Sequence, residues 1–490
     1  MSTFLIIVTK YLFILLMLFY TWECFSALKC RNPYKASGIF QRQNGVIFLT
    51  YILGIVTVYM NQTEINPVNV IVMGGAQLCY LIVVLGIFPI IYPNINKAVL
   101  SNMCMLLTIG FIIQMRLSFE ETLPLFNFNN CVTQFIIVAI VTMASLIVPY
   151  LMSKFEMWKS LTWAYCIAGI ALLIIVLIFG PITGGAKLSM KIAGFSFQPS
   201  EFVKIIFVFF IAGMLNRSTE FKNIFLSAVL AGIYVIILVF STDLGSALIF
   251  FMIYLFMVYV GTRKARYLLI GLGGLSLASF LAYKLFSHVQ VRVEAWLDPW
   301  PIIDTKGYQV TQSLFALGSG GFTGTGLFQG QPGDIPVAHQ DFVFSAIGEE
   351  FGAVFAMLLI LVCLSCFMAF LITAMEQISL FNKLVCTGLG IQYAVQVILT
   401  IGGALKMIPS TGVTLPFVSY GGSSILSTLI VFAILQGLAI VGTTSKKPVR
   451  RKMPVEGRTG NVTTRNTQRV RKIEHTQEIK IGSQGKKKIK

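Results

Sequence analysis

The sequence predicts an all-α polytopic membrane protein, and three observations carry that expectation. Of 490 residues, 56% are hydrophobic and only 11% charged, with a mean hydropathy of +0.82, whereas soluble domains are about one-quarter charged. Apolar runs close to the roughly 20 residues that cross a bilayer as helix recur along the whole chain. Lys and Arg gather in alternate connectors, the pattern that orients such helices.

Thirteen runs qualify, at roughly 4–26, 46–61, 68–93, 99–117, 131–152, 158–181, 200–216, 223–241, 243–261, 266–287, 342–373, 383–404 and 421–442. The second and seventh are short or polar for a crossing. The first is not read as a cleaved signal peptide, because no basic segment precedes it and no small-residue cleavage site follows. Lys10 near its outer end can snorkel to the interface. Lys29, Arg31, Lys35 and Arg42 follow the first run. Later connectors on the same side hold Lys97, then Lys154 and Lys159, Arg217 and Lys222, Arg263, Lys264 and Arg266, then Lys383. With thirteen crossings this places the N-terminus outside and the C-terminus in the cytoplasm.

From Thr443 to Lys490 there are fifteen Lys/Arg against three Glu, so this tail supplies +12 of the net +18. It lacks apolar periodicity and reads as a disordered cytoplasmic tail. Attraction to anionic membrane lipid accounts for its charge better than nucleic acid does. Seven of the nine cysteines lie inside apolar runs. The CxxC spacing of Cys363 and Cys366 therefore reads as packing, with no zinc site and no disulfide framework. His288 and His475 show no ligand spacing, so no metal centre is expected.

The stretch from Arg292 to Glu350, rich in Gly, Pro, Gln and charge, is the one long interruption between apolar runs. Such inserts are usually functional. Its run Gly318-Ser319-Gly320-Gly321-Phe322-Thr323-Gly324-Thr325-Gly326 matches no phosphate-loop spacing. Outer-surface turns explain it, although its N–H groups could face an anion. Five basic residues fall on the outer side against the charge rule: Lys187, Lys191, Arg292, Lys306 and Lys406. Singly each is as well explained as solvated loop charge; together they suggest an anionic ligand.

Ionisable groups inside spans are costly and mark candidate sites. Pro199, Ser200 and Glu201 open a helix on which Lys204 follows Glu201 at i+3. Asp243 joins two spans. A structural ion pair among Glu201, Lys204 and Asp243 is the preferred reading. Glu349 and Glu350 cannot both face one partner, so one is expected to cap a wet cleft and the other to meet a neighbouring helix. Asp341 opens the eleventh span. It serves there either as a helix cap or as a partly desolvated base with a raised pKa.

At FQPSEFVK (197–204), STDLGSAL (241–248), GYQVTQSLFALGSGGFTGTG (307–326), HQDFVFSAIGEEFG (339–352) and PSTGVTLPFVSYGGSS (409–424) the chain resembles the FtsW/RodA/SpoVE (SEDS) family. The resemblance covers roughly residues 99–442 in collinear order. It implies a ten-helix core with a large outer loop at 288–341, preceded by an extension of three predicted transmembrane helices (1–98) and followed by the basic tail (443–490). It also implies a peptidoglycan glycosyltransferase in the bacterial cytoplasmic membrane. Such an enzyme polymerises lipid II, on its undecaprenyl-pyrophosphate carrier, into β-1,4 glycan strands outside the membrane, for elongation, division or sporulation. The implied partner is a class B penicillin-binding protein, a transpeptidase.

Residue by residue, the family's essential carboxylate falls on Asp341, its intramembrane charge network on Glu201, Lys204 and Asp243, with Glu349 added, and the basic residue before its large loop on Arg292. Arg292, Lys187, Lys406, Gln312, His339 and Ser419 are the candidate substrate contacts. The family's Arg-Trp motif in the first large outer loop is absent. That loop reads Gly185-Ala186-Lys187-Leu188-Ser189-Met190 and leaves Lys187 as the nearest cation. Inversion from an α-linked donor needs one base and no carboxylate nucleophile, so Asp341 is the expected base for the acceptor hydroxyl. The sequence requires no cofactor, and a divalent cation, Mg or Mn, would offset pyrophosphate charge. The alternatives are a lipid II flippase, a non-catalytic transpeptidase scaffold, or an ion-coupled transporter. The last should show internal repeats, and none is visible.

Overall fold

The computed structural model describes residues 3–30, 32–61, 67–120, 122–123, 126–154, 156–181, 189–192 and 195–446. Lys187, His475 and the basic tail beyond Lys446 lie outside them. The described chain through Lys446 belongs to one unit. It runs α1 (Thr3–Lys29), α2 (Pro33–Asn61), α3 (Pro67–Ile91), α4 (Lys97–Leu117), α5 (Phe128–Ser145), α6 (Ile147–Lys154) and α7 (Thr162–Phe179). After a hairpin of β1 (Met190–Ile192) and β2 (Phe195–Phe197) come α8 (Pro199–Arg217), α9 (Phe221–Phe240), α10 (Leu244–Thr262), α11 (Ala265–Leu285) and α12 (Ser287–Leu297). Then follow α13 (Tyr308–Gly320), α14 (Val343–Glu376), α15 (Leu380–Ala404) and α16 (Gly422–Lys446).

Among the described residues, 13 helices are long and apolar enough to cross a membrane. The helical expectation needs one amendment, since β1 and β2 pair antiparallel, Met190 opposite Phe197 and Ile192 opposite Phe195. The second span also starts earlier than its apolar pattern suggests, so Lys35 and Arg42 lie on α2 rather than in a connector. Arg42 binds Glu23 of α1 through two nitrogens, at 2.6 and 3.0 Å. That carboxylate was hidden inside an apolar run, and its buried charge is offset by the long Arg side chain reaching it from the helix end.

Helix α4 is the centre of the bundle, with every residue from Ala98 to Leu117 buried. The helices of the N-terminal extension pack on it and on α14 rather than standing apart. Tyr20 donates to Asn102 Oδ1 at 3.1 Å, and Asn102 Nδ2 reaches Ser365 at 3.2 Å. These bonds tie α1, α4 and α14 together, in the way polar side chains join helices where lipid offers no hydrophobic drive. At the other extreme none of the residues of α11 is buried, and its main packing partners are α10 and α12.

The segment 292–350 is not the irregular insert its composition suggests. It contains the end of α12, all of α13 and two single turns of 3-10 helix at Trp300–Ile302 and Pro332–Asp334. The expected eleventh span is likewise broken. α14 is 34 residues long, roughly 50 Å at 1.5 Å per residue, which far exceeds a hydrocarbon core. Gly352, at φ 89° and ψ 166°, interrupts it with a conformation open essentially to glycine alone. The Gly-rich run repairs the break. Thr325 and Gly326 N–H donate to the carbonyls of Glu349 and Glu350, both at 2.9 Å, and Ala353 and Val354 N–H donate to those of Gly321 and Phe322 at 2.9 and 3.1 Å. Its backbone is therefore spent on satisfying a buried helix break, not presented as free turns.

Candidate active site

Five sequence clusters that are far apart along the chain converge at one end of the bundle. The C-terminus of α4, the N-termini of α8, α10 and α16, and the loops before α14 and after α15 meet there. Asp341 sits half-buried at that meeting point, two residues before α14. The residue flanking α14 as its cap is Phe342, and no side chain caps this helix, so Asp341 does not act as the helix cap. Gly412, at φ 73°, comes so near that a Cβ there would lie 3.7 Å from Asp341 Oδ2.

The loop carrying Asp341 is clamped through its backbone. Tyr420 N–H donates to His339 O at 2.7 Å, and Ser419 Oγ donates to Gln340 O at 2.6 Å. Gln114 of α4 donates to both His339 O (3.0 Å) and Val418 O (2.9 Å), bridging the two loops. The buried Ser419 hydroxyl also accepts from Leu415 N–H at 2.8 Å. Through these two bonds it fastens the wall of the site. His339 is buried and stacked on Phe126, centroids 4.5 Å apart, with Tyr420 on its flank. Its pKa is pushed down to about 4 by burial, so the ring is neutral and holds the loop by stacking.

Arg292, on α12, donates to Ser410 O at 3.1 Å. Burial pushes Asp341 up to about 6, and the Arg292 charge opposes the rise. Trp296, one turn further along α12, donates to Lys406 O at 3.1 Å. Lys406 is half-buried in a left-handed conformation at φ 55°. Gln312 is half-buried on α13. Lys306 is exposed and pairs with Glu294 at 3.4 Å. Of the basic residues expected on the outer side, Arg292 is the one among the described residues whose charge acts on the carboxylate.

The other charges resolve into two separate arrangements. Lys204, fully buried, binds Glu201 Oε1 at 2.7 Å, and Glu201 Oε2 accepts from Ser427 of α16 at 2.9 Å. Asp243 does not join that ion pair. It caps α10 by accepting from Ser246 N–H at 3.0 Å, and it accepts from Ser200 at 3.1 Å. Glu350 binds Arg116 of α4 at 2.7 Å, and Arg116 also pairs with Glu120. The Arg116 guanidinium lies 4.4 Å over the Phe328 ring. Glu349 accepts from Gln331 N–H at 3.0 Å and from Ser319 at 3.4 Å. Both glutamates are buried. Sequence reasoning passed over Arg116 and Gln114. An arginine inside the apolar run 99–117 was the available signal.

These features define a multi-pass, all-α membrane protein with the half-buried Asp341 carboxylate gathered under polar loops at one end of its helices. The family profile described as "cell cycle protein", FtsW/RodA/SpoVE, matches residues 97–442, and the chain belongs to this family. Peptidoglycan glycosyltransferase RodA of Mycobacterium tuberculosis H37Rv is 36% identical over 285 residues, covering 54% of this chain and 60% of that protein. RodA of Mycobacterium leprae is 36% identical over 305 residues, 58% and 64% of the two chains. The chain thus spans about three-fifths of the length of these mycobacterial relatives. A probable peptidoglycan glycosyltransferase FtsW of Tolumonas auensis is 35% identical over 292 residues, 57% and 76% of the two chains.

Among solved structures, a chain of a peptidoglycan synthase complex superposes with a TM-score of 0.58 at 24% identity, covering 72% of this chain and 99% of that one. RodA of Thermus thermophilus, a rod shape determining protein, superposes at 0.53 and 23% identity, covering 70% and 96%. These likenesses extend to the fold.

Proposed function

We propose that the protein is a peptidoglycan glycosyltransferase that polymerises lipid II into β-1,4 glycan strands, with Asp341 as the general base for the acceptor hydroxyl. The observation that carries this reading is the half-buried Asp341 beside Arg292, at the meeting of the loops before α14 and after α15. A carboxyl pushed up to about 6 is a stronger base than an ordinary aspartate and is still ionised at neutral pH. Arg292 is placed to balance the pyrophosphate leaving group, and Lys406 lies on the same wall. One displacement at an α-linked donor gives the β product without a carboxylate nucleophile. No group of three His, Cys, Asp or Glu side chains able to hold a metal occurs among the described residues. Any divalent cation would therefore ride on the pyrophosphate, and no step is routed through it.

The alternation of basic connectors supports an outward-facing site, with the N-terminus outside and the C-terminus in the cytoplasm. The partner in this reading is a class B penicillin-binding protein, in keeping with the fold shared with a chain of a synthase complex. Purified Asp341→Asn protein given lipid II in detergent should make no glycan while the parent protein makes strands. A lipid II flippase or an idle scaffold would make none in either case. Strand synthesis by a folded Asp341→Asn variant sinks the assignment of the base.

A further inference from the structure

A cavity lies at the opposite end of the helices from Asp341. It measures about 410 Å³ and sits between the end of α1, the start of α2, the start of α4 and the ends of α14 and α16. It plays no part in the site above. One wall, with Leu28, Phe40 and Ile372, is apolar; the rim carries Ser37, Asn94 and Lys97. α1 and α2 supply Ala27, Leu28, Ala36, Ser37 and Phe40 of its lining, so the extension closes one side of it.

Lys97 is the only cation on the lining, and among the described residues it makes no ion pair with a carboxylate. Lys29 and Lys35 flank it, exposed at the adjoining ends of α1 and α2 and likewise without an ion pair among the described residues. The lining's one acid, Glu376, already has a partner within the protein. Lys97 in a half-apolar cleft at helix ends, with Lys29 and Lys35 exposed on the adjoining helix ends, suits a ligand with one anionic and one hydrocarbon part. Basic pockets between transmembrane helices hold anionic lipid heads for this reason.

We propose that this cavity is a binding site for an anionic glycerophospholipid. Its phosphate meets Lys97, and the first part of one acyl chain lies along Leu28, Phe40 and Ile372. A bound lipid bridges α1 and α2 to the ends of α4, α14 and α16, so occupancy strengthens the joint between the extension and the family core. The site stands independently of the polymerase reading.

The test uses the full chain, purified and delipidated in detergent, with phosphatidylglycerol, phosphatidylcholine or inorganic phosphate added. Native mass spectrometry should show one retained phosphatidylglycerol, with a melting temperature raised by that lipid and by neither other addition. Losing one Lys contact is worth about 1 kcal/mol, so Lys97→Gln should weaken retention about fivefold. Ser37→Trp, which fills the cleft, should abolish it. Lys97→Gln preserves most of the side-chain length and keeps the test decisive if the Trp variant fails to fold. Equal retention of phosphatidylcholine, unchanged retention by folded Lys97→Gln, or an equal shift with inorganic phosphate each overturns the proposal.

Discussion

Asp341 and its two neighbours in space, Arg292 and Gln114, hold the chemistry of the site, and each has its own readout. Because burial raises Asp341 from 3.8 to about 6, the base is lost as pH falls through 6. Strand synthesis should therefore drop on that side of its pH profile. Arg292→Gln removes the charge that restrains the rise, and its acid limb should move to higher pH. The sign for stability is the reverse of that for activity. A carboxyl with a raised folded pKa favours the folded state while protonated, and that contribution declines as pH climbs from about 4 to about 6. Asp341→Asn should accordingly melt no lower than the parent protein at pH 7.5, so that lost activity is not mistaken for unfolding. Gln114→Leu strips a donor from two carbonyls, each costing about 1–3 kcal/mol when left buried and unpaired. It should lower both the melting temperature and the rate without shifting the pH profile.

At the scale of elements, the break in α14 depends on two separate supports. Gly352→Ala would drive a Cβ into the backbone nitrogen of Gly324 at a positive φ. Strain of about 1–3 kcal/mol plus that clash should appear as loss of monodisperse protein in detergent. Arg116→Ala leaves Glu350 buried without its cation, which costs about 3–5 kcal/mol. Adding Glu350→Gln should restore part of the melting temperature. How much of this was legible beforehand follows from the kind of signal. Apolar length located the crossings well, since lipid enforces it at every position. It could not see the break, because a lone glycine in a span is ordinary and only the long-range bonds to the Gly-rich loop reveal its role. Composition also mistook 292–350 for irregular chain, since its short helices bury little and their apolar faces are masked by Gly and Pro. The family resemblance singled out Asp341 and Arg292, and the i+3 spacing carried the pairing of Lys204 with Glu201; that Asp243 caps α10 instead of joining them depends on how α8 and α10 pack, which a linear pattern does not contain.

For the molecule as a whole, the extension is tied to the core by the buried polar set around Asn102. Asn102→Ala should cost about 0.6–1.7 kcal/mol, the range for hydrogen bonds between membrane helices, as read by thermal melting in detergent. The way α11 is attached has a further mechanical meaning. It meets the rest of the bundle mainly through α10 and α12 and has no fully buried residue. Yet it leads directly into the short helix whose guanidinium is moored from the other side, by Ser410 and by the Trp296 bond to Lys406. A thinner or thicker bilayer is met by helix tilt, and here that tilt has a slack member to act on. Arg292 is anchored downstream, by bonds in which α11 takes no part.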